Sequence, residues 1–419
     1  MKIIIIGAGP GGYETAAEAA SRGIEVVLIC DGPLGGTCLN EGCIPTKALC
    51  AMDSPDQERK REVITQLQAG ISQLMRNKLI TLVQGRAKLA GGCKVEAGGT
   101  VYEGDAVIIA TGSVSASLPI PGADLAIDSS AMLELSQVPE RLCVIGGGVI
   151  GLEFASIYRK FGSEVTVLEF CPNVLPRFDV DLAKRLKASL AKRGINIETN
   201  ARVTAIEGNK VLWTKADKQF ETESDCILMA VGRRPNLASL NLDEAGIEYT
   251  PRGIKVDANM QTSVPGIYAV GDITGGMMLA HVASAQGRRA LNHICGETDG
   301  IDFSVVPAAV FTVPEAACAG KTEEECEGME ISVGKANYRA NGKAVASGEA
   351  DGWCKVIADK ATGRILGAHI LGAHASDIIH EASALIALGA TVRQARDLIH
   401  AHPTLSEVLQ AAIAGCKTD

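Results

Sequence analysis

The chain has 419 residues, which is too long for a single hydrophobic core and predicts two to four domains. Hydrophobic residues make up 47% and charged residues 21%, the balance of an ordinary globular protein and not of a disordered one. The formal net charge of -9 and the lack of basic blocks argue against nucleic acid and anionic membrane surfaces as partners.

The thirteen cysteines are an odd number spread along a long chain. A secreted disulfide scaffold is short and evenly paired, so this usage predicts a cytoplasmic protein in which one cysteine pair has a special role. The apolar run at residues 3–6 is too short for a signal peptide, and no stretch approaches the roughly 18 apolar residues that span a bilayer. We therefore expect no membrane partner.

A strand–helix–strand pattern with a glycine turn occurs twice, about 140 residues apart. The first copy places its elements at 3–6, up to 21 and 25–29, and the second at 142–145, up to 160 and 165–168. Each copy ends in a similar later strand and turn, at 107–112 and 227–232. Two Rossmann-like nucleotide-binding domains are the simplest account of this repeat.

The segment after about Pro307 has a different pattern. It mixes strand-like runs with helical stretches, at 353–358, 365–371, 375–388 and 404–414. This mixture predicts a third, α+β domain at the C-terminus.

Gly7, Gly9 and Gly12 form a G-x-G-x-x-G motif between the first strand and the first helix. The three glycines would permit a tight turn, close approach of a pyrophosphate, and close packing of helix on strand. A plain glycine turn is the alternative, but the strand before and the helix after favour nucleotide binding. Asp31 follows Gly12 at close to the spacing expected of a ribose-binding acid, so it is either that ligand or a turn residue; Cys30 takes the aligned position.

Gly146, Gly148 and Gly151 repeat the motif in the second copy. Glu169 follows Gly151 at nearly the same spacing, at the end of the next predicted strand. A carboxylate there accepts hydrogen bonds from a free ribose 2′-hydroxyl and repels a 2′-phosphate. The first arginine beyond it is Arg177, so NAD is favoured over NADP.

Cys38 and Cys43 are separated by four residues in the segment GGTCLNEGCIPTK, residues 35–47. They can close a small disulfide ring if the backbone turns between them. Metal ligands and unpaired core thiols are the alternatives. A structural zinc site needs about four ligands, and no second cysteine or histidine pair is near. Core thiols would not need the flanking glycines, so a redox pair is favoured.

This segment resembles the active-site signature of the pyridine nucleotide-disulfide oxidoreductases, and its wording is closest to the dihydrolipoamide dehydrogenase branch. The resemblance covers nearly the whole chain: 232–236 resembles the end of the NAD domain, 262–272 the second flavin motif and 278–281 the next flavin-lining segment. It implies that FAD and NAD are the cofactors. The expected domains are FAD-binding at 1–135 and 260–304, NAD-binding at 136–259, and dimerisation at 305–419.

The resemblance also implies the residues that contact each cofactor. Those for FAD are Gly7, Gly9, Gly12, Asp31, Gly36, Thr37, Lys47, Thr111, Gly112, Asp272 and His281. Those for NAD are Gly146, Gly148, Gly151, Glu153, Glu169 and Gly232. Asp272 would bind the ribityl chain, and Glu153 would be the ion-pair partner of Lys47, a lysine near the flavin. Ordinary surface or helix charges are the alternative for that pair.

His402 precedes a proline in the segment HAHPTLSE, residues 400–407. By resemblance it is the acid/base, oriented by Glu407, and it acts on the disulfide of the partner subunit in a homodimer. Glu407 has an alternative role, since T-x-x-E from Thr404 is also a helix capping box. His400 is expected to be a structural neighbour.

Two features depart from the family pattern: the interval from Lys47 to Thr111, and Cys30 in place of an acid. The interval from Lys47 to Thr111 is short, because the family usually carries several tens more residues there. The substrate channel is therefore expected to be more open. The substrate is either dihydrolipoamide, free or on a lipoyl carrier protein, or another small-molecule or protein disulfide. A binding or assembly subunit with vestigial catalysis is a third hypothesis. Cys416 is expected to be an unpaired, exposed thiol.

Overall fold

The structure is a computed structural model that describes residues 1–417. The α-helices of this part of the chain are α1 (Pro10–Ser21), α2 (Gly36–Asn40), α3 (Cys43–Cys50), α4 (Gln57–Leu74), α5 (Ser129–Leu133), α6 (Val149–Lys160), α7 (Val180–Lys192), α8 (Ala280–Ile294), α9 (Gly342–Ala346), α10 (Ala375–Ala387), α11 (Val392–Arg396) and α12 (Glu407–Gly415).

The strands of the first half are β1 (Lys2–Ile6), β2 (Glu25–Cys30), β3 (Ile80–Gln84), β4 (Ala87–Leu89), β5 (Lys94–Ala97), β6 (Thr100–Glu103), β7 (Ala106–Ile109), β8 (Ser113–Ser115), β9 (Arg141–Ile145), β10 (Glu164–Glu169), β11 (Ile195–Thr199) and β12 (Arg202–Glu207). Those of the second half are β13 (Lys210–Lys215), β14 (Lys218–Glu223), β15 (Cys226–Met229), β16 (Arg233–Pro235), β17 (Tyr249–Thr250), β18 (Gly253–Ile254), β19 (Ile267–Ala269), β20 (Ala308–Val310), β21 (Ala316–Gly320), β22 (Ile331–Asn337), β23 (Trp353–Asp359) and β24 (Ile365–Leu371).

The first nucleotide-binding unit is built on a five-stranded parallel sheet in the order β19-β7-β1-β2-β3. Residues 3–5 of β1 are fully buried, as expected for a central strand covered on both faces. β19 pairs in parallel with β7 although about 160 residues separate them along the chain. Parallel strands need a crossover connection, and here that connection contains the whole second unit. The segment after residue 260 therefore completes the sheet of the first unit.

The second unit repeats this design with four parallel strands in the order β11-β10-β9-β15. α6 starts immediately after the glycine turn that ends β9, and α7 leads into β11. An antiparallel sheet of β12, β13 and β14 follows. In both units the carboxyl ends of the central strands open toward the glycine turns, which is where ligands bind in sheets of this type.

The C-terminal domain has five antiparallel strands in the order β20-β21-β24-β23-β22, with α10 and α12 packed on the sheet. This is the predicted α+β pattern. None of the helices that the structure describes is both long and apolar enough to cross a membrane.

The prediction that Cys416 is exposed was wrong. Cys416 follows the last residue of α12, which packs on the sheet, and its side chain is fully buried there. Its Sγ lies 3.6 Å from the carbonyl oxygen of Val356. A Cβ at Gly334 would lie 2.9 Å from this sulfur, so the glycine leaves the space that the thiol fills. Burial also raises the pKa of Cys416, which makes it a core residue and not a reactive tail.

Candidate active site

The two glycine turns have matching local constraints. Gly7 and Gly146 adopt φ of 104° and 112°, a region that favours glycine, and a Cβ on either would collide with the carbonyl of Ala110 or Ala230. Gly12 is equally constrained, because its Cβ would overlap the carbonyl oxygen of Gly7; Gly151 has the same relation to Gly146. The fold itself therefore requires these glycines.

Gly9 and Gly148 are glycines for a different reason. Their φ angles, −73° and −79°, suit any residue, and their missing Cβ atoms point into open space, with nothing nearer than 4.0 Å for Gly9 and nothing within 4 Å for Gly148. Apart from the immediate chain neighbours, no atom of residues 1–417 comes close enough to exclude a Cβ at either position. A dinucleotide whose pyrophosphate approaches the backbone at the helix N-terminus would exclude one, so both turns fit such a cofactor.

Both turns open into one cavity of about 2460 Å³. A single small-molecule site usually has about 300–1,000 Å³, so this cavity has room for two dinucleotides. It is lined by nearly all the predicted site residues: Gly7, Gly9, Asp31, Gly36, Thr37, Cys38, Cys43, Lys47, Thr111, Gly112, Gly146, Gly148, Glu153, Glu169, Gly232, Asp272 and His281. Gly12 and Gly151 stand behind their turns, whereas His402 and Glu407 lie outside the cavity of their own chain.

The cysteine pair is placed by two short helices. Cys38 lies within α2, and Cys43 is the first residue of α3. Gly36 has a φ of 57°, and a Cβ there would lie 2.6 Å from the Cα of Gly9, so α2 packs directly on the first glycine turn. The two thiols are free, and each shifts the pKa of the other, so they are close neighbours. The predicted redox pair therefore lies together on the wall of the cavity.

The two thiols have very different acidities. The pKa of Cys43 is lowered to about 7, first by the hydrogen bond from the Cys38 thiol and also by the Lys47 ammonium, against the opposing effect of burial. The pKa of Cys38 is raised above its usual range by the same hydrogen bond, by burial and by the charge on Cys43. The two thiols therefore titrate as a coupled pair, and its first proton is lost more readily than that of an isolated cysteine.

Lys47 forms the predicted ion pair with Glu153. Its Nζ lies 2.8 Å and 3.0 Å from the two carboxylate oxygens, and the Glu153 side chain is almost fully buried. The backbone N–H of Phe311 donates to the same carboxylate at 3.0 Å, and the Lys47 Nζ lies 4.5 Å from the centre of the Phe311 ring. The Lys47–Glu153 ion pair thus links α3 to α6, and its contacts with Phe311 link both helices to the C-terminal domain, next to the cysteines.

A Lys47→Met variant tests the effect of this cation on Cys43. Removing the positive charge destabilises the thiolate, so the Cys43 pKa should rise and iodoacetamide labelling of the reduced protein should need a higher pH. The pH midpoint of labelling of the Cys43 peptide, read by mass spectrometry, measures the shift. Lys160→Met is the matched control, because Lys160 pairs with Asp53 and should leave the midpoint unchanged. An unchanged midpoint in Lys47→Met would contradict this account.

Asp272 belongs to a polar chain that sequence reasoning missed in part. The Ser113 hydroxyl donates to its carboxylate at 2.5 Å, and the Arg233 Nε donates to the Ser113 hydroxyl oxygen at 2.7 Å. Ser113 and Arg233 come from the paired strands β8 and β16, so only the folded sheet brings them to Asp272. His281 is fixed separately: its Nε2 lies 2.9 Å from the Pro307 carbonyl and must carry the proton there.

The two predicted ribose acids have different surroundings. Glu169 is buried and accepts the backbone N–H groups of Gly147 at 2.5 Å and Cys171 at 2.6 Å, which ties it to the second glycine turn. Asp31 is exposed at the cavity rim, 3.6 Å from the Nε of Arg86. Cys30 is buried, and its Sγ lies 3.6 Å from the Gln84 Oε1.

His402 and Glu407 meet as predicted. The His402 Nδ1 lies 3.0 Å from one Glu407 oxygen, and the Thr404 backbone N–H donates to the other at 2.8 Å, which with the histidine lowers the Glu407 pKa. Only half of the alternative capping box forms: the Glu407 carboxylate accepts from the Thr404 backbone N–H, whereas the Thr404 hydroxyl donates to the Ala401 carbonyl and α12 begins at Glu407. The His402 side chain is 78% exposed.

His400 is placed as expected for a structural neighbour. Its side chain is only 8% exposed, and its Nε2 lies 2.8 Å from a Glu381 oxygen on α10. This contact fixes the loop that carries His402 against the helix beneath it.

Known proteins resemble this chain along its whole length. Residues 1–287 match the family model for pyridine nucleotide-disulphide oxidoreductases, and residues 306–413 match the dimerisation domain of that family. The dihydrolipoyl dehydrogenase of Bacillus subtilis strain 168 is 37% identical over 448 aligned residues, covering 99% of this chain and 98% of that protein. The dihydrolipoyl dehydrogenase of Chlamydia muridarum is 39% identical, covering 97% and 94%.

Solved structures agree with these matches. The HOCl-induced flavoprotein disulfide reductase RclA from Escherichia coli superposes with a TM-score of 0.91 at 32% identity, covering 99% of both chains. LpdA from Mycobacterium tuberculosis gives 0.90 at 28% identity, also covering 99% of both. The predicted fold class, two nucleotide-binding domains followed by a dimerisation domain, is confirmed. The chain belongs to the pyridine nucleotide-disulphide oxidoreductases, a family of FAD- and NAD(H)-dependent enzymes.

Proposed function

We propose that this enzyme is a dihydrolipoamide dehydrogenase, which moves an electron pair from a dithiol through Cys38 and Cys43 to FAD and then to NAD+. One observation carries the proposal: two neighbouring thiols, each of which shifts the pKa of the other, lie on the wall of a cavity that two dinucleotide-binding turns share. The names of the curated relatives supply the substrate class.

The chemistry begins at the oxidised pair, in which Cys38 and Cys43 form a disulfide. The partner subunit's His402 removes a proton from one substrate thiol, and the resulting thiolate attacks the sulfur of Cys38. The disulfide breaks, and Cys43 leaves as a thiolate. The second substrate thiol then attacks the substrate sulfur of the mixed disulfide, the bond from that sulfur to Cys38 breaks, and the proton of the attacking thiol passes to Cys38, which returns as a thiol beside the cyclic disulfide product.

The acidity of the pair suits this direction of attack. A thiol of low pKa leaves faster, and Cys43 has a pKa of about 7 beside the Lys47 ammonium. Glu407 holds the Nδ1 side of His402, which leaves Nε2 free to accept the substrate proton. FAD held at the first glycine turn, beside Lys47 and Asp272, would supply a two-electron carrier between the cysteine pair and NAD+.

The assembly follows from the same geometry. His402 and Glu407 do not line the cavity of their own chain, so a site that uses them needs a second subunit. The matched dimerisation domain supports a homodimer. The cysteine usage further supports a cytoplasmic, reducing environment.

Steady-state reduction of NAD+ by dihydrolipoamide tests the proposed substrate. We expect turnover with NAD+ to exceed that with NADP+ by at least about a hundredfold, because a 2′-phosphate would meet the buried Glu169 carboxylate and like charges cost several kcal/mol. If the protein contains its flavin but oxidises no dithiol, the proposal is wrong.

A second candidate is an NAD(P)H-dependent reductase of another small-molecule or protein disulfide. The short interval between Lys47 and Thr111 favours it, since that interval holds only the one long helix α4 beside the cysteine pair. NADH-dependent reduction of lipoamide, glutathione disulfide and a protein disulfide should be compared. A clear preference for a disulfide other than lipoamide would change the substrate and leave the role of the cysteine pair in place.

A further inference from the structure

A buried ionic cluster joins the second nucleotide-binding unit to the C-terminal domain. Its centre is Lys355 on β23, which is 1% exposed, paired with Asp179, which is fully buried directly before α7. Neither residue lies among the groups that the proposed chemistry uses. Charged side chains are rarely buried this completely unless they are paired, so their function needs an explanation.

Lys355 is held from both domains. Its Nζ lies 2.6 Å from the Asp179 carboxylate, and it also lies 3.1 Å from Glu323 and 3.5 Å from Asp181. Asp179 has a second task, since the backbone N–H groups of Asp181 and Leu182 donate to its Oδ1 at 3.1 Å and 3.2 Å and cap α7. The cluster therefore fixes the start of α7 against β23.

His369 on β24 completes the surroundings of Asp179. Its side chain is fully buried, and its Nε2 lies 3.0 Å from the Lys321 carbonyl, so Nε2 carries a proton. Burial lowers the His369 pKa, which keeps the imidazole neutral. Burial would raise the Asp179 pKa, but the hydrogen bond and charge of Lys355 and the backbone N–H of Leu182 oppose it, and the net pKa is below the usual range. Asp179 is thus a carboxylate at neutral pH.

The segment just before Asp179 packs on the second glycine turn. The Leu175 backbone N–H donates to the Gly147 carbonyl at 3.0 Å, and the Phe178 N–H donates back to Leu175 at 2.8 Å. Leu175 is buried and has a φ of 48°, a region that a leucine occupies only when its surroundings hold it there. Arg177 and Phe178 line the cavity. Segment 175–178 therefore connects Asp179 to the turn that faces NAD.

We propose that Asp179 and Lys355 are positioning residues for the nicotinamide dinucleotide: they anchor segment 175–178, which holds the glycine turn of residues 146–151 in its binding geometry. A buried ion pair contributes little net stability compared with apolar residues, whereas it fixes one arrangement of the groups it joins. The dimerisation domain thereby sets the geometry of the NAD site. This inference rests on the proposed function only in assigning NAD to the second turn.

Asp179→Asn is the variant of choice. Asparagine caps a helix as well as aspartate does, and Lys355 keeps Glu323 and Asp181 as partners, so the fold should survive. Measured by calorimetry on the flavin-loaded protein, the Kd for NAD+ should rise about tenfold, which is within the usual range of coupling between sites. In NADH-dependent ferricyanide reduction, the KM for NADH should rise while kcat stays within about twofold.

Two further measurements separate positioning from general loosening. Hydrogen exchange should quicken in residues 146–151 and 170–178 but stay unchanged in the first turn, residues 7–12. Lys335→Met is the matched control, because Lys335 pairs with Asp181 at the exposed edge of the cluster and should leave the Kd unchanged. The double variant Asp179→Asn, Lys355→Met, which leaves fewer buried charges unpaired, should also bind NAD+ weakly.

A folded, flavin-loaded Asp179→Asn or double variant whose Kd for NAD+ stays within about twofold of the wild type would overturn the positioning role. So would uniform quickening of exchange in both glycine turns. Neither assay uses a disulfide substrate, so a failure of the enzyme to oxidise dihydrolipoamide would leave this test intact. Absence of NAD+ binding by the wild-type protein would instead defeat the assignment of the cofactor.

Discussion

A Cys43→Ser variant should lose dithiol-dependent reduction of NAD+ by about a thousandfold or more, while it keeps its FAD. Serine has nearly the shape of cysteine, so the start of α3 and the cavity wall should remain intact. A hydroxyl, however, can neither close a disulfide with Cys38 nor ionise near pH 7 as the Cys43 thiol does. The loss should therefore fall on electron transfer and not on cofactor binding.

The visible absorbance of the purified variant measures its flavin, and NADH-dependent ferricyanide reduction checks the flavin and the NAD site without the cysteines. Cys50→Ser is the matched control: Cys50 ends the same helix, and burial raises its pKa to about 12, so its loss should leave turnover near the wild-type value. Dithiol oxidation that survives in Cys43→Ser at more than a few per cent would remove the pair from the mechanism.

The repeated units could be predicted from the sequence because local rules determine them. The helix ends at Ser21 and Lys160 and the strand at 365–371 agree with the structure, since apolar runs and glycine turns mark these boundaries directly. Gly9 and Gly148 were recognisable for a related reason. Their spacing in the motif predicts a ligand at a helix N-terminus, and the structure adds that the backbone does not require glycine at either position.

Contacts between distant segments could not be predicted in this way. Phe311 lies 158 residues from Glu153 yet donates a backbone N–H to it, and Arg233 reaches Ser113 over 120 residues. Neither residue carries a local pattern that marks its partner. For Cys416 the prediction itself was wrong. Its position near the end of the sequence suggested exposure, but it directly follows α12, whose apolar face packs in the core, and it is buried there. Burial at a terminus depends on packing that no short motif records.

A His402→Gln variant should slow dithiol oxidation by about 10²- to 10⁴-fold, the usual contribution of a general base. Glutamine keeps a polar group beside Glu407 but cannot accept a proton from a substrate thiol. The rate of flavin reduction by excess dithiol, followed anaerobically in a stopped-flow instrument, measures the step directly. Normal turnover would show that another group is the base.

The exposure of His402 leads to a stronger test of where it acts. Its side chain is 78% exposed and lies outside the cavity that holds Cys38 and Cys43 of its own chain. If it serves the partner's cavity, a heterodimer of Cys43→Ser and His402→Gln subunits has one complete site, because each subunit supplies what the other lacks. In a twofold-symmetric dimer, that heterodimer should regain about half of the wild-type activity.

The two subunits carry different affinity tags and are either co-expressed or unfolded and refolded together. The heterodimer is then separated from both inactive homodimers by the two tags. A heterodimer of Cys43→Ser with a Cys43→Ser, His402→Gln double-variant subunit is the control, since it contains no complete site in either arrangement. If the first heterodimer is as inactive as this control, His402 acts within its own subunit. Activity in the first heterodimer alone means that the two halves of the site meet only across the interface, so that dimerisation is part of the catalytic machinery.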